Sequence, residues 1–245
     1  MTAVVHLVGA GPGDPGLLTR RAAGLLAAAD VVVADRPSMD DVVALAPARA
    51  ERRYVGTVGP AAAWSTGAVV ELLATAARAG RRVVRLKSGD PFTCSRGAEE
   101  VAALGALGIA CEVTPGVTSA TAGPLAAGVR PGRTLTVASG DDDPAAAPVD
   151  WAALADPSTS LVVLTGRAHQ GRIADALTAA GLPADTPANI VHAAGRPGTV
   201  VASTTVAGLG TTRLPPPAMA IVGPDPVTVT GTATHPAPGG HRAHT

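Results

Sequence analysis

Val5-His6-Leu7-Val8-Gly9-Ala10-Gly11-Pro12-Gly13-Asp14 decides how this chain is read. An apolar run of strand type feeds directly into a turn with glycines at alternate positions. Glycine there permits positive φ and lets a ligand approach the backbone closely. The spacing is not that of a dinucleotide fingerprint, which needs a third glycine opening a helix, because Asp14 stands at that position. Pro12 also pushes Gly11 out of the helical region, so no helix starts inside the loop. The sequence predicts a helix from Pro15 or Gly16 through Leu26. Taken alone, three spaced glycines fit an ordinary tight strand–helix turn as well as a ligand-facing one.

Outward from this unit the first half alternates strands and helices. Val31-Val32-Val33-Ala34 reads as a buried strand ending at Asp35-Arg36-Pro37. A helix is predicted over 67–79, a strand over 81–86, a loop over 87–97, a helix over 98–107 and a strand over 109–114 that stops at Pro115-Gly116. Such alternation implies a mostly parallel sheet, and ligands of such sheets sit at the carboxyl ends of the strands. The distinctive loops 9–14, 35–37, 87–97 and 115–120 all fall at those ends, which argues for one binding cleft. In the second half, strands are predicted near 134–139, 160–164, 188–192, 199–203 and 218–222, with helices near 151–154 and over 169–180. The acidic, Pro/Ala-rich stretch 141–148 reads as a solvated turn. These features divide the chain into α/β domains at 1–130 and 131–224, with 225–245 a disordered tail.

Composition narrows the function classes. The 245 residues carry 19 Lys and Arg against 19 Asp and Glu. Aromatics are scarce, namely Tyr54, Phe92, Trp64 and Trp151. A nucleic-acid partner, which favours basic surplus and stacking aromatics, is therefore not expected. Cys94 and Cys111 cannot form a disulfide framework, and the histidines show no metal-ligand spacing, so no metal is expected. Neither a secretory signal nor a membrane-length apolar run is present, which points to a cytoplasmic protein without a membrane partner.

The loops together carry a resemblance. Leu7-Val8-Gly9-Ala10-Gly11-Pro12-Gly13-Asp14-Pro15 is followed in order by Ala34-Asp35-Arg36, Tyr54-Val55-Gly56, Arg85-Leu86-Lys87-Ser88-Gly89-Asp90-Pro91-Phe92, Arg96-Gly97 and Pro115-Gly116-Val117-Thr118-Ser119-Ala120. This series resembles the tetrapyrrole methylases, and within them the branch that C-methylates uroporphyrinogen III. The resemblance implies a two-domain class III methyltransferase of α/β fold, usually a homodimer, with S-adenosylmethionine in a cleft between the domains. It implies methylation of two pyrrole carbons, giving precorrin-2 for sirohaem and cobalamin synthesis. The alternatives are a relative with a different small-molecule acceptor and a non-catalytic cofactor-binding relative.

By the same resemblance Pro12, Ser88, Gly89, Asp90, Thr93, Thr118, Ser119, Thr165 and Ala194 line the cofactor pocket. Asp35 fits an ordinary strand-ending turn residue, but its place at a cleft-facing strand end favours a proton acceptor. Arg36, Arg96, Arg130 and Arg133 are the candidates for pairing with substrate carboxylates. The chain departs from the family pattern at several points. Ser88 and Ala194 replace glycines, and Thr165 replaces a cofactor-contacting methionine. Thr57 replaces a lysine assigned as acid/base partner. The His- and Gln-rich stretch that follows in the family is Gly59-Pro60-Ala61-Ala62-Ala63-Trp64 here. A shorter connection, Val129–Arg133, replaces Thr-His-Arg, and Asp141 replaces a histidine.

Overall fold

A computed structural model describes residues 3–56, 64–141, 144, 149–165, 168–196 and 198–223. The chain divides into two compact units between Thr118 and Ser119. The division expected from the sequence lay after residue 130. Thr57, residues 59–63, most of the acidic stretch 141–148 and the predicted tail 225–245 lie outside the described residues.

The first unit is a five-stranded sheet of β1 (Val4–Gly9), β2 (Val31–Ala34), β3 (Glu51–Tyr54), β4 (Val83–Lys87) and β5 (Ala110–Thr114), in the order β3-β2-β4-β1-β5. Every pairing in it is parallel. The apolar run of β2 shows why a sheet forms here, since all four of its residues are buried. Val32 and Ala34 pack beneath α1 (Arg20–Ala27) and α2 (Asp40–Val43). Val31 and Val33 pack beneath α3 (Thr66–Arg78) and α4 (Gly97–Ala106). Strand alternation covered on both faces produces this continuous apolar run.

Two local expectations change. The helix expected from residue 15 or 16 is split, because only Pro15–Leu17 form a short 3-10 turn and Leu18 is extended. The Asp14 carboxylate accepts from Gly16 N at 2.7 Å, and the Thr19 hydroxyl accepts from Ala22 N at 3.1 Å, which makes Thr19 the N-cap of α1. Side chains that bond the nearby backbone compete with helix continuation and favour caps. Strand β3 carries no apolar signal. It is an edge strand whose Glu51 pairs with Arg53 and Arg81, and charge is the usual way an exposed sheet edge is tolerated.

The second unit contains α5 (Ser119–Ala126), β6 (Thr134–Ser139), β7 (Thr159–Leu164), α6 (Gln170–Ala179), β8 (Pro187–His192), β9 (Val200–Thr205) and β10 (Ala218–Val222). Its sheet order is β6-β7-β10-β8-β9. Strands β6 and β7 run parallel, β10 runs antiparallel to β7 and β8, and β9 runs antiparallel to β8. Helix α6 and Trp151 fill one face. Helix α5 sits on the other, with Ala120 against the β7, β8 and β10 core. The segment 151–154, expected as a short helix, is a turn. Helix α5 was not expected because Gly123 and Pro124 lie within it. Gly123 is needed there, since a Cβ would stand 2.3 Å from Met219 Sδ. No helix among the described residues is long and apolar enough to cross a membrane.

Leu86 is fully buried in β4, the central strand of the first unit, and packs with Val8, Leu26 and Val32. Leu86→Ala is expected to lower stability by about 2–5 kcal/mol through lost burial and a residual cavity, as read by urea unfolding.

Candidate functional site

The order of the first sheet places its reversal between β1 and β4. The chain leaves β1 toward β2 on one side and leaves β4 toward β5 on the other. Loops that depart in opposite directions open a crevice at the strand carboxyl ends. Here the two loops are joined by main-chain hydrogen bonds. Ala10 N donates to Lys87 O at 2.8 Å, Gly11 N to Gly89 O at 3.1 Å, and Gly89 N back to Gly11 O at 2.8 Å. Gly11, Gly13 and Gly89 adopt φ of 65°, 118° and 66°, the left-handed region that glycine enters without steric cost.

A third loop closes on these two. A Cβ on Gly9 would lie 2.5 Å from Gly116 N, and one on Gly116 would lie 2.3 Å from Gly89 O. The backbones of β1, β4 and β5 therefore touch where only glycine fits. Asp90 latches the contact. Its Oδ1 accepts from Phe92 N at 2.9 Å and from the Thr93 hydroxyl at 3.2 Å, while its Oδ2 accepts from Gly116 N at 3.2 Å. Both carboxylate oxygens are used within the loops, so Asp90 shapes the site through the backbone.

Beneath the loops lies a group of buried charges. Arg85 and Lys87 alternate along β4 and so share one face of the sheet. Across them stands Glu100 on α4. The side chains of Arg85, Glu100 and Lys87 are only 3%, 4% and 7% exposed, and Asp35 at the end of β2 is 19% exposed. Arg85 grips Glu100 through Nε at 2.8 Å and Nη2 at 2.9 Å. Nη2 also donates to Asp35 Oδ1 at 2.6 Å, and Nη1 donates to the carbonyls of Val33 and Leu86. Lys87 Nζ donates to Glu100 Oε1 at 3.0 Å and lies 3.8 Å from Asp35 Oδ1.

Asp35 is held from every side. Its Oδ2 accepts from Ser88 N at 3.0 Å, and its carbonyl accepts from Gly56 N at 2.7 Å. A Cβ at Gly56 would come within 2.1 Å of that carbonyl, which is why the Tyr54-Val55-Gly56 segment needs its glycine. Burial raises the Asp35 pKa, but the charges of Arg85 and Lys87 and the Ser88 N–H outweigh it, and the carboxyl is held below its ordinary value.

The expected site residues divide between the units. Asp35, Pro12, Ser88, Gly89, Asp90, Thr93 and Thr118 gather at the carboxyl edge of the first sheet. Arg36 follows Asp35 and is half-buried, and Arg96 precedes α4 and is exposed. The Ser88 hydroxyl donates to Met39 Sδ at 3.4 Å. In the second unit, Thr165 follows β7 and Ala194 follows β8, at the same edge of that sheet because both strands run antiparallel to β10. Thr165 has φ 61° and Ala193 has φ 50°, and the Thr165 hydroxyl bonds the Leu164 carbonyl. A β-branched residue in that region is a true outlier, of the kind that gathers at ligand clamps. Ser119 opens α5. Arg130 and Arg133 are exposed and precede β6, the parallel neighbour of β7. They stand at the opposite edge of that sheet from Thr165 and Ala194.

Arg85, Lys87 and Glu100 were not singled out as site residues. The signal was present, since two cations two residues apart in an otherwise apolar strand must meet buried counter-charges.

Residues 4–210 match the family model for Tetrapyrrole (Corrin/Porphyrin) Methylases. The chain belongs to the tetrapyrrole methylases. It is 40% identical over 231 residues to a uroporphyrinogen-III C-methyltransferase from Paracoccus denitrificans, covering 89% of this chain and 80% of that protein. It is 40% identical over 193 residues to a siroheme synthase from Chromobacterium violaceum, of which it spans only 41%. Among solved structures, a uroporphyrin-III C-methyl transferase from Thermus thermophilus, complexed with S-adenyl homocysteine, superposes with a TM-score of 0.75. It is 36% identical and covers 89% of this chain and 91% of that one. The fold is the class III methyltransferase fold of the tetrapyrrole methylases, and the matched region takes in the three-loop contact and the charge group.

Asp35→Asn removes one partner from a buried ionic group, and such losses cost about 3–5 kcal/mol. The variant is therefore expected to be clearly less stable at neutral pH. Because the folded pKa of Asp35 lies below its unfolded value, this contribution is present above about pH 4 and fades as pH falls through the lower folded pKa. Urea unfolding of both proteins at a series of pH values checks this, and the gap between them is expected to narrow in acid. Gly116→Ala is expected to separate loops 88–90 and 115–116 and to abolish ligand binding at this edge, as read by calorimetry.

Proposed function

We propose that this tetrapyrrole methylase is an S-adenosylmethionine-dependent C-methyltransferase acting on uroporphyrinogen III, with a precorrin-2-type dimethylated product. The single observation that carries the reading is the three-loop contact at the reversal of the first sheet. Glycine backbone, half-buried hydroxyls and a latched carboxylate converge there, in a family whose members include an S-adenyl homocysteine complex.

The residues present fit such a cofactor. Gly11, Gly13, Ser88 and Gly89 keep side-chain bulk off the edge, which suits close approach of a nucleoside, while Gly9 and Gly116 let the loops themselves meet. The edge's donors and acceptors are main-chain groups with the hydroxyls of Ser88, Thr93 and Thr118. Thr114 Oγ1, buried at the end of β5 without a partner, adds an unsatisfied polar atom at the same edge. When bound, S-adenosylmethionine supplies an electrophilic methyl group on a sulfonium, so the protein has little covalent chemistry to perform. Thr165 and Ala194 are the second unit's contribution in this reading.

Catalysis by the chain is then mainly positioning. Asp35 stays ionised at neutral pH, and its carboxylate keeps acceptor capacity beyond the Arg85 and Ser88 bonds. It accepts the proton released when a pyrrole carbon gains its methyl group, a strongly acidic proton for which a weak base suffices. Arg36 and Arg96 meet the carboxylates of the acceptor. We place the enzyme in the cytoplasm as a homodimer, in line with the family pattern. The replacements at Thr57, 59–63 and Asp141 favour a second reading, a less anionic small-molecule acceptor with the same cofactor.

Two measurements test this. Calorimetry with S-adenosylhomocysteine is expected to show one site on the first unit's edge, and no response at millimolar ligand would remove the cofactor reading. Incubation with uroporphyrinogen III and S-adenosylmethionine is expected to give dimethylated product. Cofactor binding without that product would favour the second reading.

A further inference from the structure

Glu100 reaches no loop and is buried on α4, yet both cations of β4 depend on it. Arg85 donates two hydrogen bonds to it and Lys87 one. The remaining donors of Arg85 go to Asp35, Val33 and Leu86, so all five guanidinium N–H groups are committed. Arg85 cannot reach out to a substrate anion without giving up a bond inside the protein. Asp35, Arg85, Lys87 and Glu100 together sum to zero charge. Without the Glu100 charge, Arg85 at 2.6 Å and Lys87 at 3.8 Å would both compete for Asp35 Oδ1. The Asp35 carboxylate would then turn toward Lys87 and away from the Ser88 N–H that its Oδ2 now holds at 3.0 Å.

We propose that Glu100 is a positioning residue, the counter-charge that keeps Asp35 turned to Ser88 N–H and thereby sets the backbone of loop 88–90. The order of action runs from α4 through β4 to the end of β2 and into the loop. Gly97 makes this delivery feasible. A Cβ there would stand 2.1 Å from the Pro91 carbonyl, so only glycine lets the start of α4 come close enough to present Glu100. Only the ligand-binding part of the test rests on the cofactor reading above.

The test uses Glu100→Gln and the charge-neutral double variant Lys87→Met/Glu100→Gln. Exchange of the Ser88–Asp90 amides in the ligand-free protein is read beside calorimetry with S-adenosylhomocysteine. Glu100→Gln is expected to speed exchange of these amides by about tenfold or more, with little change in β7 and β8. It is also expected to weaken binding by about tenfold. The double variant is expected to recover both to within about threefold, because neutrality returns even though two side chains are altered. Unchanged exchange in folded Glu100→Gln would overturn the proposal. So would a double variant as impaired as the single one, or loss of folding in both, since each would make Glu100 a packing residue only. A wild-type protein that does not bind the nucleoside overturns the cofactor reading alone, and the exchange data still decide on Glu100.

Discussion

Arg85 is a cation buried from solvent, and the first unit is arranged around the need to satisfy it. A guanidinium buried in the middle of a parallel sheet is tolerable only with its counter-charges and every N–H partner in place. That requirement ties together elements remote in sequence, the end of β2 through Asp35 and the first turn of α4 through Glu100. It also explains the small residues around the group. Gly56 lets the chain pass against the Asp35 carbonyl, and Gly97 lets α4 settle on Pro91. The charges cannot be relaxed singly, because each remaining one would be left buried and unpaired.

Above this ionic base the loops are held by main-chain atoms. The pairing of Gly11 with Gly89 behaves as a one-residue sheet extension beyond the carboxyl ends of β1 and β4. Gly116 then packs against both. Such a contact loses little when side chains change and everything when a Cβ is added. The two levels meet at Ser88, whose amide is fixed by a carboxylate from below and whose neighbour Gly89 is fixed by backbone from beside.

Much of this was legible in the residues. The apolar runs and loop spacing of the first half pointed to a parallel sheet with its distinctive loops at one edge, and the family pattern pointed to the same loops. What escaped did so for physical reasons. Strand β3 is polar because an edge strand need not be apolar, and periodicity therefore missed it. Helix α5 contains Gly123 and Pro124, where packing against Met219 outweighs helix propensity. Thr19 ended the first predicted helix run and began another through a capping bond that sequence alone leaves undecided. Asp35 was read as a lone carboxylate at a strand end, since its partners Arg85 and Lys87 lie 50 and 52 positions away and only the folded sheet brings them together. Arg130 and Arg133 suggested a shared role with the other arginines through charge alone. The direction of β6 puts them at a different edge from Thr165 and Ala194.

The division between a glycine frame and the side chains mounted on it has an evolutionary consequence. Positions 9, 89 and 116 bear on the geometry of the edge and tolerate almost no change. The side chains at positions 12, 88 and 93 border the same edge without forming that glycine contact, and are more open to exchange. Ser88, where this chain departs from the family pattern, is of the second kind. Side chains at such positions can therefore change what this edge offers a ligand while the glycine frame stays constant, with no refolding in between.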